Sequence, residues 1–200
     1  MSCISTGALR VHVSSSPPLD PQTEEQVSEL WTEAARIVSG LQISQSTTTA
    51  LLKRLNQNLS DLEKDEVREK LKREISSALK AGGIPPEMIH GMKMVFTSLL
   101  MKGIDLVQIE PGASIILYLI CESVESLLSL RDMVLSGLLL QLFGDVIKQF
   151  TKSPSQIHVL VKAEDYNSYL SYLIGGKYVC LLSFYYKHRA TCATSSIITV

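Results

Sequence analysis

Cysteine and histidine are the side chains of this 200-residue chain best suited to metal binding or nucleophilic catalysis, and neither type is clustered. The cysteines stand at positions 3, 121, 180 and 192, and the histidines at 12, 90, 158 and 188. Zinc sites and disulfide frameworks need close or repeated spacings. The sequence therefore predicts neither, and reduced thiols in a cytoplasmic protein are the expectation.

Cys121 directly follows a predicted strand, and it is the residue at which a nucleophile is most easily imagined. Cysteine catalysis also requires a base and a group that orients the base. The sequence names no partner for either role. A buried apolar thiol is the favoured interpretation.

The short motifs of catalysis and nucleotide binding are absent. The sequence contains no GxGxxG, GxxxxGK(S/T), HExxH, GxSxG or CxxC. The glycine pairs Gly82-Gly83 and Gly175-Gly176 lack the flanking pattern of a phosphate-binding loop. We therefore predict that the protein is not an enzyme, and we expect no catalytic, cofactor-binding or metal-ligating residue and no cofactor.

Composition and charge argue against two classes of partner. Hydrophobic residues make up 46% and the net charge is −1, so the chain is a folded protein without a field that attracts nucleic acid. The longest apolar run, Met133 to Phe143, is interrupted by Ser136, Gly137 and Gln141. It is too short for a membrane span, which needs about 18 apolar residues. Neither nucleic acid nor a membrane is expected as a partner, although the aromatic stretch 178–186 leaves peripheral membrane contact as a weaker hypothesis.

The first half of the sequence predicts a flexible lead over residues 1–20 and a helical region over 21–102. Val11 and Val13 alternate with polar residues, which is a weak strand signal inside the lead. Apolar residues then recur at helical spacing. The predicted helices run from Thr23 to Gly40, from Thr47 to Gln57, from Ser60 to Ala81 and from Pro86 to Met101. Trp31 is expected to pack the first of these against the next.

Two of these helices have clear start and stop signals. Thr23 with Gln26 and Ser60 with Glu63 match the capping box, in which side chains and backbone groups at the helix start bond reciprocally. Gly40, the Gly82-Gly83 pair and Gly103 are predicted to end helices.

Residues 103–174 predict a compact α/β unit. Two aliphatic runs, 104–109 and 115–120, flank a Pro-Gly turn and predict a β-hairpin. Ser123 is the expected N-cap of a helix that breaks at Gly137 and resumes to about Phe150. A strand over 157–161 and a helix over 163–173 follow, and residues 175–200 form a tail of uncertain structure. The predicted fold class is α+β, with an N-terminal helical segment packed on or preceding a small α/β sandwich.

The stretch from Glu110 to Leu127 resembles the N-terminal domain of TRADD and related modules of animal innate-immunity and cell-death proteins. The residues that carry the resemblance are a turn, the end of a strand and the following helices: Gly112, Ser114, Cys121, Glu125, Leu127 and Ser136-Gly137-Leu138. It extends over about residues 104–173. It implies a sheet with one face on helices and another face or edge that recruits proteins.

The predicted function is a non-enzymatic adaptor or scaffold that binds signalling proteins through its sheet surface or a helical groove, with self-association as a further option. The alternative is a small-molecule-binding or enzymatic α/β domain whose site is assembled from residues distant in sequence. A deep pocket with convergent polar groups favours the alternative, and a flat apolar patch favours the adaptor.

Overall fold

A computed structural model describes residues 8–44, 60–111, 115–150, 156–174 and 198–199. Over these residues, helices pack on an antiparallel sheet, which confirms the predicted α+β class. The helices are α1 (Pro21–Ser44), α2 (Asp61–Ala81), α3 (Pro86–Leu100), α4 (Val124–Leu135), α5 (Leu138–Ile147) and α6 (Ala163–Ile174). The strands are β1 (Leu9–Ser16), β2 (Ile104–Glu110), β3 (Ile115–Cys121), β4 (Gln156–Val161) and the two-residue β5 (Ile198–Thr199).

The sheet has the order β2-β3-β1-β4-β5, so β1 lies in its centre. The prediction of a flexible lead is therefore wrong for Leu9–Ser16. The partners of this strand, such as Leu117 opposite Val11 and Val159 opposite Val13, are more than a hundred positions away in the sequence. Pairing with these distant partners stabilises the strand, so the local sequence carried only a weak signal for it.

The sheet has two faces of different character. The core face carries a set of fully buried residues that are aliphatic apart from one cysteine: Leu9, Val11, Val13, Ile104, Leu106, Ile109, Ile115, Leu117, Leu119, Cys121, Val159 and Val161. The outer face is mixed in polarity, and it comprises Arg10, His12, Ser14, Asp105, Gln108, Glu110, Ile116, Tyr118, Ile120, His158 and Leu160. These side chains are half-buried, apart from the exposed Gln108, and the exposed Ser16 and Gln156 continue the face at one end. The strict alternation of β1 and β3 places successive residues on opposite faces.

The helices share one hydrophobic core with the core face. Trp31 of α1 is fully buried, and its ring centroid lies 5.7 Å from that of Phe96 on α3 and 5.0 Å from that of Phe143 on α5. Trp31 therefore joins three helices. The predicted boundary near Gly103 is a junction between α3 and β2 inside this shared core, so the helical region and the α/β unit pack together.

The predicted capping box is confirmed at the start of α2 and wrong at the start of α1. At α2, Ser60 and Glu63 form the predicted capping box, in which the Ser60 backbone N–H donates to Glu63 Oε2 at 2.9 Å. At α1, Asp20 accepts from the Thr23 backbone N–H at 2.9 Å, so the helix begins at Pro21, before the predicted Thr23 cap. The carboxylate of Asp20 therefore caps α1 in place of the expected Thr23 hydroxyl.

The predicted helix ends are correct at three glycines and wrong at one. Gly83, Gly103 and Gly137 take positive φ angles of 80°, 65° and 74° beyond the ends of α2, α3 and α4. Gly40 does not end α1, which continues to Ser44. A glycine within a helix costs only about 1 kcal/mol, which tertiary packing offsets.

The predicted hairpin forms from β2 and β3, with a bulge at the exposed Val107. The turn at 112–114, the predicted helix over 47–57 and the tail over 175–197 lie outside the described residues. Among the described helices, none alone is long and apolar enough to cross a membrane. The bent pair α4 and α5, at 67°, meets the criteria of length and composition together.

Candidate interaction surface

The outer face combines an apolar centre with charged flanks. Ile116 and Ile120 on β3 and Leu160 on β4 supply half-buried apolar side chains. The edge strand β2 adds the carboxylates Asp105 and Glu110 beside them. On the other side, the outer face carries Arg10 and His12 of β1 and His158 of β4. The surface is therefore acidic along one edge and basic or neutral beyond its centre.

A hydrogen-bond network orders the acidic edge. The Tyr118 hydroxyl donates to Glu110 Oε2 at 2.7 Å, and Gln108 Nε2 donates to Glu110 Oε1 at 2.8 Å. Both bonds use the carboxylate of one residue, which holds the Tyr118 ring against the β2 side of the face. An aromatic ring fixed in this way presents its contact area at low entropic cost.

An ion pair attaches α6 to the central strand. Arg10 Nη2 donates to Asp165 Oδ1 at 2.9 Å, and the Asp165 side chain is only 9% exposed. A carboxylate this deeply buried needs a charged partner because its desolvation is costly. The two residues are 155 positions apart, so the pair connects β1, the first described strand, to α6.

Tyr169 of α6 completes the backbone bonding at the end of β3. Its hydroxyl accepts from the Cys121 N–H at 2.9 Å and donates to the Cys121 C=O at 3.3 Å. Both backbone groups are buried, where an unsatisfied polar group is costly. The phenol thus bonds the backbone as a neighbouring strand residue would, and it positions α6 beside α4.

His12 occupies the basic side of the outer face. Partial burial lowers the pKa of His12 below its ordinary value, and the positive charges of Lys162 and Arg10 lower it further, while Asp165 opposes them. The folded protein therefore favours the neutral form of the His12 imidazole. His158 lies on the adjacent strand, so the structure brings two of the four histidines to one face, which their sequence positions did not indicate.

Cys121 lies on the core face and is 2% exposed. Burial raises the pKa of its thiol to about 12, and the nearby carboxylate of Asp105 adds to the effect. The thiolate is the nucleophilic form of cysteine. A thiol with this pKa has almost no thiolate at neutral pH, and the side chain serves packing.

A groove of about 550 Å³ lies between the start of β2 and the N-terminus of α4. Carboxylates of Asp105, Glu122 and Glu125 line it, together with Lys102 and the α4 residue Ser126. Its volume falls in the range of small-molecule sites. In the described part of the chain, no group of three or more His, Cys, Asp or Glu side chains is placed to hold a metal ion.

The other residues that the sequence singled out are dispersed. His90 is exposed on α3. On the same helix, Met88 and Met92 are buried in the core, whereas Met94 is half-buried. The methionines thus mainly fill the core.

The contacts that organise this surface are long-range, and sequence reasoning missed them. Arg10 with Asp165 and Tyr169 with Cys121 have no short-range signature, since each pair joins distant elements. The alternation of Val11 and Val13 with polar residues was the signal in the sequence that β1 belonged to a sheet.

Comparison with known proteins finds no matching family model, no significantly similar curated protein and no significantly similar solved structure. The resemblance to the TRADD N-terminal domain therefore stays a prediction.

Proposed function

We propose that this chain is a non-enzymatic adaptor or scaffold module that binds a signalling protein through the outer face of its sheet. The observation that carries the proposal is the division of one sheet into a buried core face and an outer face whose side chains lie outside the hydrophobic core. The fold needs the core face for stability, and on the outer face it needs Arg10 as the partner of the buried Asp165. The other outer-face positions can vary in sequence at less cost to the fold.

The outer face has the composition of a protein interface. Such interfaces have an apolar centre, a polar rim and ordered aromatic residues. Ile116 and Ile120 supply the centre, and Tyr118 supplies an aromatic ring held by Glu110. The carboxylates of β2 form one side of the rim, and complementary charges on a partner would orient its approach.

The pathway class follows from the resemblance to the TRADD N-terminal domain alone. Modules of that kind recruit proteins in innate-immune and cell-death signalling. We therefore propose a cytoplasmic signalling protein of this class as the partner.

The test is partner capture with the full chain and three variants. Ile116→Lys and Leu160→Lys each put a charge on the outer face, and Leu62→Lys changes an α2 side chain that is 73% exposed. We expect the wild type and Leu62→Lys to retain the same signalling protein after chemical cross-linking and mass spectrometry. Both outer-face variants should lose it while keeping the wild-type circular dichroism spectrum.

Retention of the same partner by both folded outer-face variants would contradict the proposal. Cross-links mapped to α2 or α3 would move the binding site to the helices.

A second candidate is the alternative of a small-molecule site, and the groove beside α4 is the observation that favours it. Its lining comes from two stretches of the chain, around Gly103 and Ser126, which the fold brings together. Native mass spectrometry of the purified chain would reveal a bound metabolite, and Glu122→Gln should abolish the adduct. A ligand-free spectrum, together with thermal stability unchanged across a metabolite library, would exclude this function.

A further inference from the structure

Helix α4 presents two leucines directly away from the core. Its buried side is formed by Leu127, Leu130 and Val134, whereas Leu128 is 37% and Leu135 is 54% exposed. Residues seven apart lie on the same side of a helix, because about 3.6 residues make a turn. A helix with one buried side normally carries polar residues opposite it. The two leucines therefore form an apolar stripe that packing among the described residues does not explain.

Opposite charges lie between these leucines. Arg131 and Asp132 are neighbours, and Arg131 Nη2 lies 3.2 Å from Asp132 Oδ1. The segment reads Leu-Ser-Leu-Arg-Asp-Met-Val-Leu from 128 to 135. About the midpoint between Arg131 and Asp132, leucine mirrors leucine and the cation mirrors the anion. Such a pattern complements itself when a second α4 lies antiparallel against it.

We propose that two copies of this chain associate through α4 around a two-fold axis. Leu128 of one copy packs on Leu135 of the other, and Arg131 meets Asp132 twice, once on each side of the axis. An interface of this kind is isologous, because the same patch serves both subunits. The surface lies on the helix layer and is distinct from the outer face, so it does not depend on the function proposed above.

The chemistry of the stripe favours a second copy over other occupants. A lipid surface selects helices with lysine and arginine around the apolar side. The exposed flanks of this stripe include the carboxylates Glu125 and Asp132. An unrelated helix would need its own arginine beside an aspartate at the matching height, which a second α4 supplies by symmetry. Two leucines per copy make a small contact, so the association depends on concentration.

Sedimentation velocity of the full chain over a concentration series tests the association. We expect a reversible monomer–dimer equilibrium. Leu128→Asp and Leu135→Asp should each weaken the dimer at least tenfold, because an aspartate would be buried against a leucine. The matched control Leu62→Asp changes an exposed leucine on α2 and should leave the dissociation constant unchanged.

A charge exchange tests the antiparallel register. Arg131→Asp alone should weaken the dimer, because two aspartates would then face each other on both sides of the axis. The double variant Arg131→Asp/Asp132→Arg restores both cross-axis pairs and should recover the wild-type dissociation constant. Circular dichroism and thermal melts check that each variant is folded.

Two results would overturn the proposal. One is a monomer at every soluble concentration of the wild type. The other is a dimer that folded Leu135→Asp leaves intact, or that the double charge variant fails to restore.

Discussion

The two faces of the sheet use the same strands for different purposes. In β3, Leu117 points to the core face and is 1% exposed, whereas its neighbour Ile116 points to the outer face and is half-buried. Both are aliphatic residues in one strand, but only Leu117 contributes to the shared core. Apolar character alone therefore does not reveal the role of a residue. Strand pairing sets the face on which a residue lies, and that face determines whether the residue stabilises the core or forms part of the surface.

The charged groups follow the same division. All the described core-face residues are uncharged, and each charged strand residue of β1, β2 and β3 lies on the outer face. A charge on the core face would lose its hydration without a partner. The outer face tolerates charges because water or a partner can solvate them.

The largest expected effect compares a charge at two neighbouring positions. Leu117→Asp should destabilise the fold by more than about 4 kcal/mol, since it buries a carboxylate in the core. Ile116→Asp should cost about 1 kcal/mol, since its side chain is only partly buried and water can still reach a carboxylate there. Urea denaturation followed by far-UV circular dichroism measures both. Equal losses at the two positions would refute the distinction between the faces.

The helix layer above the core face is tested at Gly91 of α3. A Cβ at this position would lie 2.5 Å from Val146 Cγ2 on α5. Gly91→Ala should therefore cost about 1–3 kcal/mol through overpacking, despite the better helix propensity of alanine. Thermal denaturation measures the loss, and adding Val146→Ala should recover part of it.

The control for this prediction is Gly40 within α1, where a Cβ would meet no atom within 4 Å. Gly40→Ala should stabilise the protein by up to about 1 kcal/mol. A destabilising effect at Gly40 similar to that at Gly91 would show that packing against α5 is not the cause.

The attachment of α6 to the end of β3 is tested by removing the Tyr169 hydroxyl. Tyr169→Phe leaves the N–H and C=O of Cys121 without the phenol, so we expect a loss of about 1–3 kcal/mol in the free energy of unfolding. Hydrogen exchange of the Cys121 amide should accelerate as well. Tyr172→Phe changes a side chain that is 62% exposed and should stay within about 0.5 kcal/mol of the wild type. A neutral Tyr169→Phe would mean that solvent or another group satisfies Cys121.

The smallest expected effect concerns pH and the outer face. Burial and neighbouring cations lower the pKa of His12 in the folded state below its ordinary value of 6.5. The unfolded chain therefore takes up this proton first as pH falls, and the folded state loses stability as pH drops through 6.5 toward the lowered pKa. Urea denaturation at several pH values should show a shallower acid dependence for His12→Gln than for the wild type. Parallel curves would assign the acid dependence to other groups.

Local signals were sufficient for the features that depend on adjacent residues. The Ser60–Glu63 capping box, the break at Gly137 and the Ser123 cap of α4 all form as predicted. Each involves backbone and side-chain groups within a few positions, so the physics that produces it is contained in a short segment.

Sequence reasoning failed where distant residues decide the outcome. The predicted flexible lead contains the central strand β1, and α1 continues past the local stop signal at Gly40 to Ser44. The set of residues that forms the outer face could not be predicted from the sequence either. Its Arg10–Asp165 pair and its two histidines depend on the register of β1 against β4.

The sequence alone was sufficient to predict the α+β class, the hairpin of β2 and β3 and most helix boundaries. The periodicity of hydrophobic residues and helix capping depend on residues that are close together in the chain. The sequence also indicated the buried thiol of Cys121, whereas the central position of β1 and the set of side chains that share the outer face depend on the tertiary structure. Those properties arise from long-range pairing in one shared core, and pairing free energy depends on partners that no local window of sequence contains.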